Sequence, residues 1–266
     1  MAIKPISQRE FGHKRFKPYE SYSFAAKDAI VALVVNELHR AAVVLPLAFA
    51  KVGEGFVPVA VQGLATGKNL FVAADGRWLG RYIPSAYRGY PFALINTEDG
   101  KQVLCFDEGS GLLSDTEGKP FFDDEAPSQA VNDVLNFLTQ VHASRQMTHR
   151  ICAILDEHKL IQPWPIQLKQ SDDTEEGESR MLEGLFRIDE AAFNTLDAPA
   201  LHALQQAGAF PMVFCQLLSM QHLPALGELT KAQNEAEKFA ALPKTEAGEI
   251  DMSFLADDTT ISFENL

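Results

Sequence analysis

Residues 127–160, "PSQAVNDVLNFLTQVHASRQMTHRICAILDEHKL", decide the fold class. Ser128 is placed to cap a helix whose apolar positions are Val131, Val134, Leu135, Leu138 and Val141, continued by Ile151, Ile154 and Leu155. Three- and four-residue spacing puts these side chains on one stripe, so a long helix is predicted to end near Leu160, before "QPWP". Burying that stripe contributes roughly 25 cal/mol per Å² of apolar area removed from water.

The segments before this helix have a different character. "GFVPVAVQGL", "NLFVAADGRWLG" and "KQVLCFDE" are short and β-prone, and glycine-containing turns separate them. Asp75-Gly76 marks a turn between "NLFV" and "RWLG", and "NTEDGK" separates "PFALI" from "KQVLCF". The expected class is therefore α+β: a β-rich N-terminal half, with an antiparallel sheet or partly closed barrel, packed against a helical C-terminal half. Residues 1–22 read as an irregular lead-in, 23–230 as one globular body, and 231–266 as an acidic, loosely packed tail whose Phe254, Leu255 and "TISF" run can dock onto the body.

Other elements follow from local signals. "AIVALVV" reads as a buried strand, Asn36 as the cap of a short helix from Glu37, and "VVLPLAF" as a strand that Pro46 keeps from a central position. A continuous helix from Ser23 to Ala42 is the competing reading. "LIQPWPIQL" is expected to be extended, "KQSDDTEEGESR" to be a solvated loop and "GLFRI" to be an edge strand. Asp189 is predicted to cap "EAAFNTL", and Pro199 to start a helix through Ala207.

Composition narrows the function classes. Lys and Arg number 23 against 36 Asp and Glu, a formal charge of -13 that opposes binding to phosphate backbones or anionic bilayers. The most apolar run, "AIVALVVNELHRAAVVLPLAFA", is broken by Asn36, Glu37, His39 and Arg40, so no integral membrane insertion is expected. "MAIKPISQREFGHKRF" places no apolar core behind its basic residues, and a cytoplasmic location is expected. Cys105, Cys152 and Cys215 form no CxxC pair and sit in apolar surroundings, which reads as three reduced, buried thiols.

The richest functional stretch is "GRWLGRYIPSAYRGYPFAL", residues 76–94. Arg81 and Arg88 can clamp a carboxylate or phosphate, since guanidinium groups form bidentate hydrogen bonds. Trp78, Tyr82, Tyr87 and Tyr90 can supply flat walls against a peptide, sugar or aromatic ring, with Arg77, Asn69 and Glu37 alongside. The competing reading is structural: Trp78, Tyr82 and Phe92 close a small β core, Pro84 and Pro91 enforce turns, and the arginines cover the aromatic surface.

Local motifs for chemistry fail. "GLATGKNLF" ends in Asn69 where a phosphate loop needs Ser or Thr, and a strand-like run follows it. His142, His149 and Asp156 are seven residues apart on the long helix, roughly 10 Å per step by helix rise, too far to share one metal. Ser110, the Ser219/His222 pair and Cys215 lack a hydrolase context. No metal and no cofactor are predicted. The expected role is noncatalytic binding of a partner protein, peptide segment or small ligand through residues 77–92. A cryptic enzyme with a polar pocket near Glu37, Arg81, Tyr82 and Arg88 is the alternative.

"NELHRAAVVLPLAF", "VAVQGLATGKNLFVAADGRWLGRYIPSAYRGYPFAL" and "GLFRIDEAAFNTL", in that order, resemble the bacterial SapC family over about residues 15–230. The resemblance implies a soluble accessory protein associated with outer-membrane nutrient uptake and with flavin-dependent halogenase-like proteins. It brings no established catalytic residues or cofactor. The family name also carries a surface-layer connection, giving a further alternative as a surface-layer-associated structural protein. The unrelated peptide-transport permeases of the same name are excluded, because this sequence offers no transmembrane helices.

Overall fold

The computed structural model describes residues 3–168 and 180–240. A five-stranded sheet runs in the order Ile161–Pro163, Leu185–Ile188, Leu47–Val52, Gly55–Val61 and Ile30–Ala32, with every neighbouring pair antiparallel. Its central hairpin turns at Gly53-Glu54, between the paired residues Val52 and Gly55. Gly53 has φ 59°, a left-handed conformation that glycine adopts without steric penalty.

Eight α-helices follow in chain order among the described residues. They are α1 (Gln8–Phe11), α2 (Leu38–Ala41), α3 (Ser85–Arg88), α4 (Gln129–Glu157), α5 (Glu190–Asn194), α6 (Ala198–Gln206), α7 (Phe210–Ser219) and α8 (Leu223–Ala240). The α+β class is thus realised with antiparallel sheets, and no barrel closes among the described residues.

Helix α4 is the spine. Ser128 caps it as predicted, its Oγ accepting from Val131 N at 3.3 Å and donating to Pro120 O at 2.7 Å. The apolar stripe serves two cores. Ile151, Cys152 and Leu155 pack with the sheet residues Leu47, Phe49, Val59 and Val61. Val131, with Val134 and Leu138 beside it, packs into a cluster of phenylalanines built from Phe11, Phe16, Phe92, Phe106 and Phe121. A stripe this long outlasts one core, and the chain uses its two ends separately.

The phenylalanine cluster changes the reading of the lead-in. Residues 3–5 form a strand on Gln102–Asp107, α1 buries Phe11, and Arg15–Phe16 pairs with Leu113–Ser114 and Lys119–Pro120. These pieces are too short to show a period, so their order comes from buried phenylalanine rings and not from local pattern. Phe92 belongs to this cluster, whereas Trp78 and Tyr82 pack against the first core, so the three do not close one β core.

Several strand expectations are corrected by tertiary context. Leu47–Val52 is central despite Pro46, because the proline stands just before the strand, where its missing N–H interrupts no ladder bond; its carbonyl accepts from Val61 N at 2.9 Å. "GLFRI" is internal, since Ile161–Pro163 takes the edge, the position that suits a proline. Alongside it, α7 completes the sheet. Gln216 Oε1 accepts from Ile188 N at 2.9 Å, Gln216 Nε2 donates to Leu47 O at 3.1 Å, and Leu47 N donates to Ser219 Oγ at 2.9 Å.

"AIVALVV" supplies only the three-residue strand Ile30–Ala32 before a single 3₁₀ turn at Val35–Glu37, and the continuous helix from Ser23 does not form. Asn36 does not cap α2. Its backbone N–H donates to Ser144 Oγ of α4, and Glu37 reaches back to Val34 N at 3.0 Å instead. "NLFV" and "RWLG" keep their Asp-Gly turn, with Gly76 at φ 84°, but share only the bridge Val72–Trp78. Two backbone bonds flank that bridge, Leu79 N to Phe71 O at 2.8 Å and Ala73 N to Arg77 O at 2.9 Å, and Phe71 N is satisfied by Asn69 Oδ1 at 2.9 Å.

Asp189 caps α5 as expected, accepting from Ala192 N at 3.0 Å, while α6 takes its cap from Asp197, two residues before Pro199. Helix α8 continues through Ala240, past the expected start of the tail. The loop expected at "KQSDDTEEGESR" lies, up to its last residue, outside the described residues, as do Phe254, Leu255 and "TISF".

Candidate binding site around Glu37 and Tyr90

Glu37 is 4% exposed and holds the segment 82–88 against the 3₁₀ turn on which it stands. Oε1 accepts from Val34 N at 3.0 Å and from Ser85 Oγ at 2.7 Å. Oε2 accepts from the Tyr82 hydroxyl at 2.6 Å and from Ser85 N at 2.8 Å. A carboxylate has about four lone-pair sites, and all are engaged. The turn is fixed from the other side by α4, where Thr148 Oγ1 accepts from Val35 N at 2.8 Å. Burial, then the Glu37 hydrogen bond and charge, push the Tyr82 phenol well above its ordinary value.

Arg88 closes the outer side of this network. Its Nη2 lies 3.5 Å from the Tyr82 hydroxyl and 3.9 Å from Glu37 Oε2, and its side chain is 41% exposed. The guanidinium stands over the Phe137 ring at 5.1 Å and the Tyr82 ring at 6.0 Å. Gly89 lets α3 approach α4, since a Cβ there would press on Leu138 Cδ2 at 2.7 Å. Arg81 is exposed and makes no hydrogen bond or ion pair among the described residues. Arg77 is exposed as well, paired through Nε with Asp75 Oδ2 at 2.6 Å.

Two of the expected ligand contacts are enclosed. Asn69 is 2% exposed, and its amide nitrogen donates to Ala25 O at 3.0 Å and Gln62 Oε1 at 3.4 Å. Tyr87 is buried, its hydroxyl donating to Gln62 Oε1 at 2.7 Å. Burial and the neighbouring Asp28 charge raise its phenol far above the ordinary value. Both residues organise the interior: the turn chemistry of Asn69 serves Phe71 N, and Tyr87 ties α3 to the sheet end at Gln62.

Trp78 is half-buried, donating through Nε1 to Tyr82 O at 3.0 Å and lying near-parallel to Phe71 with ring centroids 5.9 Å apart. It faces Tyr22 at 5.5 Å, the first member of an aromatic group from the lead-in. Tyr90 stacks on Phe24 at 3.8 Å with an interplanar angle of 13°, and Tyr19 meets Phe24 at 5.5 Å and Tyr90 at 6.0 Å. A recess of about 640 Å³ opens beside these rings. Lys17, Tyr19, Phe24, Tyr90 and Ser110 are among the residues that line it, and Trp78, Arg81, Tyr82 and Arg88 are not. Burial, then the Tyr22 charge and hydrogen bond, push the Tyr19 phenol up to about 12, against an opposing contribution from Arg88.

Of the nine residues singled out in the sequence, Tyr90 alone lines the recess, Glu37, Tyr82 and Arg88 join in one network, and Arg77 and Arg81 face solvent. No local motif marks Tyr19, Phe24 and Lys17, although "FKPYESYSF" at 16–24 concentrates four aromatic residues in nine positions. That aromatic density is the signal the sequence offers for this wall.

The SapC family model matches residues 6–226, which takes in the Glu37 network, the recess and both cores. The chain belongs to the SapC family. No curated protein and no solved structure matches it. For this SapC-family chain, no group of three or more His, Cys, Asp or Glu among the described residues could hold a metal ion, and no helix among them is long and apolar enough to cross a membrane.

Proposed function

We propose that this SapC-family protein is a noncatalytic accessory protein that binds a peptide segment of a partner in the recess beside Tyr90. The observation that carries this reading is the recess of about 640 Å³ walled by Tyr19, Phe24 and Tyr90. Rigid aromatic walls offer large contact area at small conformational cost, and the Ser110 and Lys17 polar groups at the wall can orient a backbone. The saturation of Glu37 favours binding over catalysis, because a proton accepted there would displace a bond already made. The formal charge of -13 favours protein over nucleic acid as partner. Free thiols at Cys105, Cys152 and Cys215 suit residence in the reducing cytoplasm of a bacterium. Outer-membrane uptake proteins and halogenase-like proteins are the candidate donors of the bound segment.

Selection of linear peptides on the full chain tests this directly. Enriched peptides should carry aromatic residues, shift the amide resonances of residues 17–24, 90 and 110, and lose about tenfold in affinity to Tyr90→Ala. Failure to enrich any peptide, or shifts confined to another face, would overturn the reading.

A further inference from the structure

Arg88 is the exposed cation best prepared to meet a ligand. Two aromatic faces, Phe137 and Tyr82, hold its guanidinium in place, so part of the ordering that binding demands is already done. Its described hydrogen bond uses one of five N–H donors. Arg40 stands on α2 three residues after Glu37, whose Oε2 accepts from the Tyr82 hydroxyl at 2.6 Å and lies 3.9 Å from Arg88 of α3. Arg81 adjoins Tyr82 in the chain, and neither Arg40 nor Arg81 makes a hydrogen bond or ion pair among the described residues. The acid within the network, Glu37, has both oxygens turned to inner donors and stands 3.9 Å from Arg88, a weak contact. In a chain with 13 more acids than bases, three arginines left with spare donors are a local reversal of sign.

We propose that Arg88, Arg40 and Arg81 form a carboxylate-binding site over Tyr82, taking an acidic side chain of the segment whose aromatic residue fills the recess. The clause about the recess rests on the function proposed above; the arginine site itself rests on the geometry around Tyr82. The two adjoin along the chain, since Tyr90, which lines the recess, stands two residues after Arg88. Guanidinium forks match the two oxygens of a carboxylate, which a single ammonium does not.

The test uses full-chain protein and three probes: hydrocinnamate, its neutral amide hydrocinnamamide, and inorganic phosphate. Hydrocinnamate is expected to move the guanidinium Nε–H resonances of Arg88 and Arg40 along with Phe24 and Tyr90, whereas the amide moves only the aromatic set. Arg40→Gln, an exposed substitution checked for unchanged thermal unfolding, should weaken hydrocinnamate about tenfold and leave the amide unaffected. Equal binding of acid and amide with silent arginines would overturn the carboxylate site while leaving the recess reading intact. Arginine shifts with no response at Phe24 or Tyr90 would support the site and remove the recess reading. Phosphate moving the same arginines at lower concentration than hydrocinnamate would overturn the assignment to carboxylate.

Discussion

The Tyr82 hydroxyl donates to Glu37 Oε2 at 2.6 Å across 45 residues of sequence. With Ser85 it makes the turn at Val35–Glu37 and the segment leading into α3 a single unit. Glu37→Gln replaces one acceptor oxygen with a donor that must face other donors. It should lower unfolding free energy by about 2–4 kcal/mol, read from urea denaturation with unchanged slope. Tyr82→Phe should cost about 1–2 kcal/mol, and the double variant less than the sum. Additive losses would mean that the two side chains act independently.

The turn at Asp75-Gly76 anchors the lead-in, because Tyr22 N donates to Gly76 O at 2.8 Å. A Cβ at Gly76 would collide with Ser21 Oγ and Ser23 Oγ, and φ 84° is strained for any L side chain. Gly76→Ala should destabilise by more than about 1 kcal/mol and displace the tyrosine-rich wall. Amide exchange at residues 19–24 would report that displacement, and unchanged protection would contradict it.

Alkaline pH should weaken the fold through its phenols. The Tyr19, Tyr82 and Tyr87 values are all raised in the folded chain, chiefly by burial. Once unfolded, these phenols release protons near 10.0, so above that pH the folded state holds protons that the unfolded chain has lost. The contribution is complete below pH 10.0 and declines as pH rises through about 12 for Tyr19, with Tyr82 and Tyr87 extending the loss further. Tyrosinate absorbance of the native protein should lag behind that of the urea-unfolded chain over this interval.

Thiol labelling should follow burial. Cys152 is enclosed against Met212, and burial pushes its thiol up to about 12. Cys215 is only half-buried. An aromatic disulfide reagent should modify Cys215 first and Cys152 only at the rate of unfolding. Early labelling of Cys152 would show that α4 opens locally.

Much of the secondary structure was legible because its signals are local. The α4 stripe, the Ser128 and Asp189 caps and the Asp75-Gly76 turn each depend on residues within a few positions. The phenylalanine cluster was not legible: Phe11, Phe16, Phe92, Phe106 and Phe121 come from five separate short segments, none with a period of its own. The place of Leu185–Ile188 inside the sheet was equally hidden, since α7 side chains finish the pairing where the strands part.

By itself the amino-acid order determined the class, the spine helix, its caps and the residue types concentrated at 76–94. Only tertiary structure decided which of those side chains meet a ligand and which hold the interior. Burial and hydrogen-bond partnership belong to contacts between distant segments: Asn69 and Tyr87 were drawn inward by Ala25 and Gln62, while Tyr19 and Phe24, from an unpromising lead-in, came to stand beside Tyr90.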